Sequence, residues 1–231
     1  MPSRAPRRAP SSALVAVALV AILVVAGCAL PSINAKATPV AGTGVLKTMD
    51  LSGAGFTSIS VVGGISLVVA TGDTPTVKLA AQENLLPLVH AEIANGQLSA
   101  SIGEPGVTSD RTITLTVTVP VLTSVSLGAG ATGTMELQAQ VLQVSLSGGA
   151  TLKAIGSVGQ LSLSADSGAQ AQLGDLKADG IALTMGGGSQ ATLTAATMVS
   201  GSADGGASIT LTSRPATVNV KTSGGAVVTG G

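Results

Sequence analysis

From residue 123 onward, apolar and polar residues alternate in short runs, each broken by a glycine at a nearly fixed interval. These glycines are Gly130, Gly149, Gly168, Gly188, Gly206 and Gly225, spaced 19, 19, 20, 18 and 19 residues apart. Aligned on them, the chain falls into columns. Seven residues before the glycine stand Thr123, Leu142, Leu161, Ile181, Val199 and Val218; five before, Val125, Val144, Leu163, Leu183, Gly201 and Val220. Three after stand Gly133, Leu152, Ala171, Ala191, Ile209 and Val228. Between these mostly apolar columns lie polar ones, such as Ser126, Ser145, Ser164, Thr184, Ser202 and Lys221, four before the glycine. Alternation with a period of two is the mark of a strand with one face inward. Each repeat therefore predicts a strand, a glycine turn, a second strand and a short return. One such unit cannot bury its apolar face alone, but stacked units share a continuous core. The pattern predicts an all-β fold, a right-handed β-helix (a β-solenoid) with coils of about 19 residues.

Two rival folds fit less well. Hexapeptide coils of a left-handed helix would hold a strict 18-residue period, which the drift between 18 and 20 breaks. A β-sandwich also has short strands and turns, but it needs no glycine in one column six times over. The register extends upstream to Gly64, where Ile59, Val61, Ile65, Leu67 and Val69 take inward positions and Ser58, Ser60 and Ser66 alternate with them. Gly64 is thus expected to be a seventh turn glycine. Between that coil and the array, residues 82–89 (QENLLPLV) predict a helical turn stopped near Pro87. Asn95-Gly96 predicts a type I′ hairpin, and residues 112–119 (TITLTVTV) a strand leading into the repeats. The N-terminal part of this domain is expected to cover one end of the solenoid.

The first 43 residues follow a different pattern. Arg4, Arg7 and Arg8 precede an uninterrupted apolar run, residues 13–27 (ALVAVALVAILVVAG), that ends at Cys28. A basic segment followed by a run of this length is a secretory signal. It is short for a spanning helix, which needs roughly 20 residues. Residues 29–43 mix Pro, Ala and Thr without a period and read as a flexible tether. The expected organisation is a signal peptide at 1–27, Cys28 and tether at 28–43, and one solenoid domain at 44–231. Val25, Ala26 and Gly27 before Cys28 resemble the lipobox of bacterial lipoproteins. That resemblance implies a diacylglycerol on the Cys28 thiol, cleavage before it and a further acyl chain on the freed amine. It places the domain on a leash outside the cytoplasmic membrane, at the periplasmic or outer surface.

Composition removes most other functions. Eleven basic and eleven acidic residues balance; without Arg4, Arg7 and Arg8, eight basic face eleven acidic residues. No basic face for a nucleic-acid backbone follows from that balance. With no Trp, no Tyr and one Phe (Phe56), stacking on bases or sugars has almost no platform. One His and one Cys exclude a His/Cys zinc cluster and a disulfide within the chain. No Walker-type phosphate loop and no regular calcium-binding nonapeptide occurs. His90, beside Glu92 in a predicted hairpin strand, has no second imidazole to work with. Asp166 and Asp204 share the column two before the turn glycine, two coils or roughly 9.6 Å apart at the strand spacing. That is near the upper limit for an inverting glycosidase pair, yet Asp before glycine is also an ordinary turn residue that binds its own backbone. No cofactor is expected beyond the lipid, and no catalytic residue.

The opening VVGGISLVVATGD (residues 61–73), the middle segment ENLLPLV (83–89) and the glycine-turn repeats together resemble the head GIN domain family, described as auto-transporter adhesins. The resemblance covers nearly all of residues 44–231. It implies a pectin-lyase-like superhelix, no recognised catalytic residues and an adhesion role. The expected function is therefore a non-enzymatic, lipid-anchored envelope protein whose Ser/Thr/Gln-rich face binds an envelope polymer or protein. An accessory role in envelope-stress signalling is the alternative, and a polysaccharide-active enzyme a third. Gly231 follows Gly225 by six residues, so the last coil, with Val218, Val220, Val227 and Val228 and a single Lys221 to guard its edge, is expected to self-associate.

Overall fold

A computed structural model of the chain describes residues 38–52 and 55–231. The described residues form one compact unit. Its strands are β1 (Val40–Ala41), β2 (Leu46–Leu51), β3 (Ser58–Val62), β4 (Ile65–Thr71), β5 (Thr76–Gln82), β6 (Val89–Ala94), β7 (Gln97–Ile102), β8 (Val107–Thr108) and β9 (Ile113–Val119). The repeats follow as β10 (Ser124–Gly128), β11 (Thr132–Leu146), β12 (Thr151–Ala165), β13 (Gln170–Met185), β14 (Gln190–Ala203), β15 (Ser208–Leu211), β16 (Thr217–Thr222) and β17 (Val227–Gly230). There is no α-helix among the described residues.

The fold is a β-solenoid. Each coil pairs in parallel with the next, and the register follows the glycine spacing. Thr132 lies beside Thr151, Thr151 beside Gln170, Gln170 beside Gln190, Gln190 beside Ser208 and Ser208 beside Val227. The extra and missing residues of the uneven coils are absorbed away from the turns, at register shifts between Lys153 and Ile155, Leu173 and Lys177, and Ala178 and Gly180. The short return expected of each coil is instead extended chain. β11 runs unbroken from one turn to the next, because its return residues also pair with the neighbouring coil, Gln138 beside Ser157 and Ala139 beside Val158.

The inward columns are buried as the alternation requires. Leu127, Leu146, Leu152, Leu161, Val199 and Ile209 are each at most 2% exposed, and burying one such side chain contributes about 1.5–3 kcal/mol. A further inward column lies directly after the turn glycine: Ala131, Ala150, Ala169, Ser189 and Ala207 are all buried. Only small side chains fit where the two faces converge. Ser189 satisfies its hydroxyl there by donating to the Ala165 carbonyl at 3.1 Å.

The turns are tighter than one glycine per coil suggests. Gly149 has φ +74° and the residue before it, Gly148, +58°; elsewhere Ala129 and Ser167 hold that first position at +49° and +55°. Two consecutive left-handed residues let Ala150 N–H close the turn on the Ser147 carbonyl at 3.1 Å. The upstream turn departs from the expected column. Its positive φ, +94°, belongs to Gly63 rather than Gly64, and Ile65 N–H bonds back to the Gly63 carbonyl at 2.7 Å. One left-handed residue suffices there because the turn closes over three residues.

The N-terminal part covers one end, in an order unlike the chain order. The coil made by β3 and β4 stacks directly on β10 and β11, while β7 and β9 lie on its other side. Antiparallel strands then close both faces, β6 against β7 and β5 and β2 beyond β9. Phe56 and Leu85 are buried under this cap. Asn95 (φ +52°) and Gly96 (φ +74°) form the expected hairpin turn between β6 and β7. Pro87 does not stop the helical turn but sits inside a 3-10 turn, Leu86–Leu88, where its missing N–H is not needed. The domain also begins before residue 44. Val40 and Ala41 pair with Val107 and Thr108, and Thr43 N–H donates to Asn84 Oδ1 at 2.8 Å, so residues 40–43 belong to the domain rather than the tether.

The two kinds of glycine separate in their tolerance. A Cβ on Gly149 meets nothing within 4 Å, so substitution there costs only the left-handed backbone, about 1–2 kcal/mol and more for a β-branched residue. On Gly156 (φ +122°) a Cβ would overlap the Leu137 carbonyl. We expect thermal midpoints of the full chain to fall in the order Ser145→Val, Gly149→Asn, Gly149→Val, Gly156→Ala, with the first near wild type. Equal losses for Ser145→Val and Gly149→Val would mean that the register is wrong.

Candidate binding surface

The alternation that buries one side of each strand turns the other to solvent, and parallel stacking brings like positions into ladders. On the face formed by residues preceding the turns, one column runs Ser99, Ser60, Ser126, Ser145, Ser164, Thr184, Ser202 and Lys221. Beside it runs Gln97, Ser58, Ser124, Gln143, Ser162, Ala182, Ser200 and Asn219. Both columns are exposed or half-buried throughout. Eight rungs span roughly 34 Å at the strand spacing, and the only charge on them is Lys221 at the end. The face after the turns carries a second hydroxyl-rich column, Thr116, Val68, Thr134, Lys153, Gln172, Thr192, Thr210 and Thr229. Like residues meet because strands pair at a fixed register, and short neutral side chains stack there without the repulsion of like charges.

The described residues form several shallow depressions. Three adjoining ones, of about 370, 500 and 540 Å³, follow the edge where the second face passes into the return, around Val68, Glu136, Ile155, Gln138 and Val141. Val121, Val141, Ile155 and Val68 are 55%, 50%, 39% and 37% exposed there. The repeat columns did not single out this apolar rim. Val68 reaches it through the pairing of β4 with β11, the neighbours of a stack that skips the intervening sequence.

The residues weighed for chemistry stand apart from these features. Asp166 and Asp204 do share a column, and they approach more closely than the strand spacing suggests. A Cβ placed on Gly186, between them, would lie 3.4 Å from Asp166 Oδ1 and 3.0 Å from Asp204 Oδ1. Asp166 nevertheless uses Oδ1 for its own turn, accepting the Ser167 N–H at 2.6 Å, and both residues are exposed on the turn edge. His90 is exposed on β6. Its ring lies beside Gly103, where an added Cβ would meet Nε2 at 2.7 Å. Among the described residues, no three His, Cys, Asp or Glu gather closely enough to share a metal ion, and no helix is long and apolar enough to cross a membrane. The turn glycines Gly130, Gly149, Gly168, Gly188, Gly206 and Gly225 all have positive φ, between +72° and +81°. Cys28 and its lipobox, Val25, Ala26 and Gly27, lie outside the described residues.

The same architecture occurs in solved structures. A putative adhesin from Bacteroides fragilis is similar over 82% of this chain and 98% of its own, with 14% identity and a TM-score of 0.62. A protein from Parabacteroides distasonis titled a putative lipid binding protein aligns over 83% and 98%, with 13% identity and a TM-score of 0.54. A putative adhesin from Parabacteroides merdae aligns over the same shares, with 16% identity and a TM-score of 0.53. At these identities the likeness is one of fold. No curated protein is similar in sequence. The family profile described as "Putative auto-transporter adhesin, head GIN domain" matches residues 55–215, from the segment entering the first solenoid coil to the return before the last, and the chain belongs to that family.

Proposed function

We propose that this protein is a non-enzymatic, lipid-anchored binding protein of the cell envelope, held at Cys28 and presenting its neutral hydroxyl face to a surface polymer or protein. The observation that carries this reading is the pair of Ser- and Gln-rich columns, eight rungs long and uncharged up to Lys221. Hydroxyls and amides both donate and accept, so such a face recognises uncharged, hydrogen-bonding partners. Each contact is weak in water, about 0.5–1.5 kcal/mol, but the repeat offers many at once. The family description and the adhesin titles of similar structures agree with a surface role.

Anchoring and binding are separable by experiment. Mass spectrometry of protein extracted from membranes is expected to find an acylated Cys28 as the N-terminal residue, and Cys28→Ser to abolish both the acylation and the cleavage before residue 28. An intact Met1 with an unmodified thiol would overturn the anchor. Retention on isolated envelope material is expected to be nearly independent of salt and to fall at least tenfold in Ser126→Glu/Ser164→Glu. Unchanged retention in that variant, with an unchanged melting point, would remove the hydroxyl face from the function.

A further inference from the structure

We infer that a depression on the face after the turns, walled by Gln170, Gln172, Gln190, Thr192, Ser208 and Thr210, is a subsite for one unit of a neutral polysaccharide. Its volume is about 270 Å³, below the roughly 300–1,000 Å³ of sites that enclose a drug-sized ligand. It therefore takes a single sugar unit and leaves the rest of a polymer outside. The site lies on β13, β14 and β15, across the turns from the Ser- and Gln-rich columns, and it stands whether or not those columns bind.

Unequal side chains at a fixed register make the depression. Gln170 lies beside Gln190 and Gln190 beside Ser208; in the next outward column Gln172 lies beside Thr192 and Thr192 beside Thr210. These three glutamines are the only ones in the two columns, and they sit on adjacent coils. Long carboxamides on β13 and at Gln190 thus stand beside short hydroxyls on β14 and β15, and the step between them is the depression. Its floor is the chain at Ala171 and Ala191, whose side chains turn inward and are 1% and 3% exposed.

The walls hold hydrogen-bonding capacity that the fold does not use. Among the described residues, Gln170, Gln172, Gln190, Thr192 and Ser208 make no side-chain hydrogen bond within the protein, and Thr210 meets only Thr229, at 3.4 Å. Exposure alone does not free a hydroxyl here. Thr123 and Thr212 are exposed too, yet they donate to the Thr57 carbonyl at 3.1 Å and the Leu193 carbonyl at 3.2 Å. Three carboxamides and three hydroxyls each donate and accept, which matches the hydroxyls of a sugar. No charge lines the depression, so an acidic or amino sugar finds no counter-charge in it. Phe56, the only Phe, Tyr or Trp, is buried under the cap. A sugar must then be held by hydrogen bonds alone, and here they converge from three strands. A peptide strand would need a free backbone edge, whereas β13 and β14 are paired on both sides at these residues.

The test is affinity electrophoresis of the protein extracted from membranes, in native gels that contain a soluble neutral β-glucan, mannan or galactan, with polygalacturonate as the acidic control. Retardation is measured against a polymer-free gel. At least one neutral polymer is expected to retard the protein, and polygalacturonate is not. Gln172→Leu/Gln190→Leu removes two carboxamides at nearly unchanged volume and is expected to weaken the apparent association at least tenfold. Thr192→Arg, which lays a long side chain over the floor, is expected to do the same, so the result does not depend on the folding of one variant. Gln160→Leu, the same change on an exposed residue of the return, is expected to leave the retardation unchanged. No retardation by any of the neutral polymers, equal retardation by polygalacturonate, or undiminished retardation of the double glutamine variant would overturn the subsite. Retardation lost in Ser126→Glu/Ser164→Glu but kept in the glutamine variant would assign the binding to the other face, overturning this site and supporting the function proposed above.

Discussion

The hydrogen bond from one turn to the next sets every other distance in this molecule. Gly130 N–H bonds to the Gly148 carbonyl, Gly149 to Ser167, Gly168 to Gly187, Gly188 to Gly205 and Gly206 to Gly224, each at 2.9–3.0 Å. An amide and a carbonyl align this way only if both turn residues adopt left-handed backbone, which ordinary side chains resist by about 1–2 kcal/mol. Glycine at the second position removes that cost. Once the turns are stacked, the strands on either side are held in register, and a slip by one residue would reverse every inward and outward position. The uneven coils show the hierarchy: their lengths vary, but the variation is confined to the return and never reaches the turn.

Register at the turn explains the composition on both sides of the strand. Inside, the two faces converge toward the turn, so the column after the glycine holds alanine or serine, while leucine and isoleucine fill the columns farther out. Gly133 shows the limit of that space: a Cβ there would lie 2.8 Å from both Leu127 Cδ1 and Leu152 Cδ1. Outside, identical positions from successive coils stand one strand spacing apart. A column of like charges at that distance would repel along its whole length, whereas Ser, Thr and Gln stack without penalty. The neutral face is thus first a solution to stacking, and its length makes it available for binding.

Much of this was legible in the residues, for a physical reason. A period of two and a period of about 19 are both carried by local sequence, so the strands, the inward columns, the second turn residue and the Asn95-Gly96 hairpin could be read directly. The first turn residue could not, because Ala129 and Ser167 tolerate the left-handed region and break the column. Gly156 was equally silent. Its positive φ lies within an extended return, where only the nearby Leu137 carbonyl demands glycine. The stacking order of the N-terminal part also escaped, since Thr57 and Thr123 meet across 66 residues with no periodic signal between them. The exposed apolar rim escaped with it, because Val68 joins Ile155 only when β4 is placed beside β11.

A solenoid built this way has two kinds of surface with different physics. The long faces are generated by the repeat, so each rung adds another copy of nearly the same neutral, hydrogen-bonding strip, and lengthening the array enlarges the face without changing its chemistry. The ends are not generated by the repeat and must each be solved separately. At one end the chain solves the problem within itself, by reversing direction into antiparallel strands and placing Lys47, Asp50, His90 and Glu92 on the outermost edges. Among the described residues, the inward valines Val218, Val220 and Val228 of β16 and β17 are partly exposed.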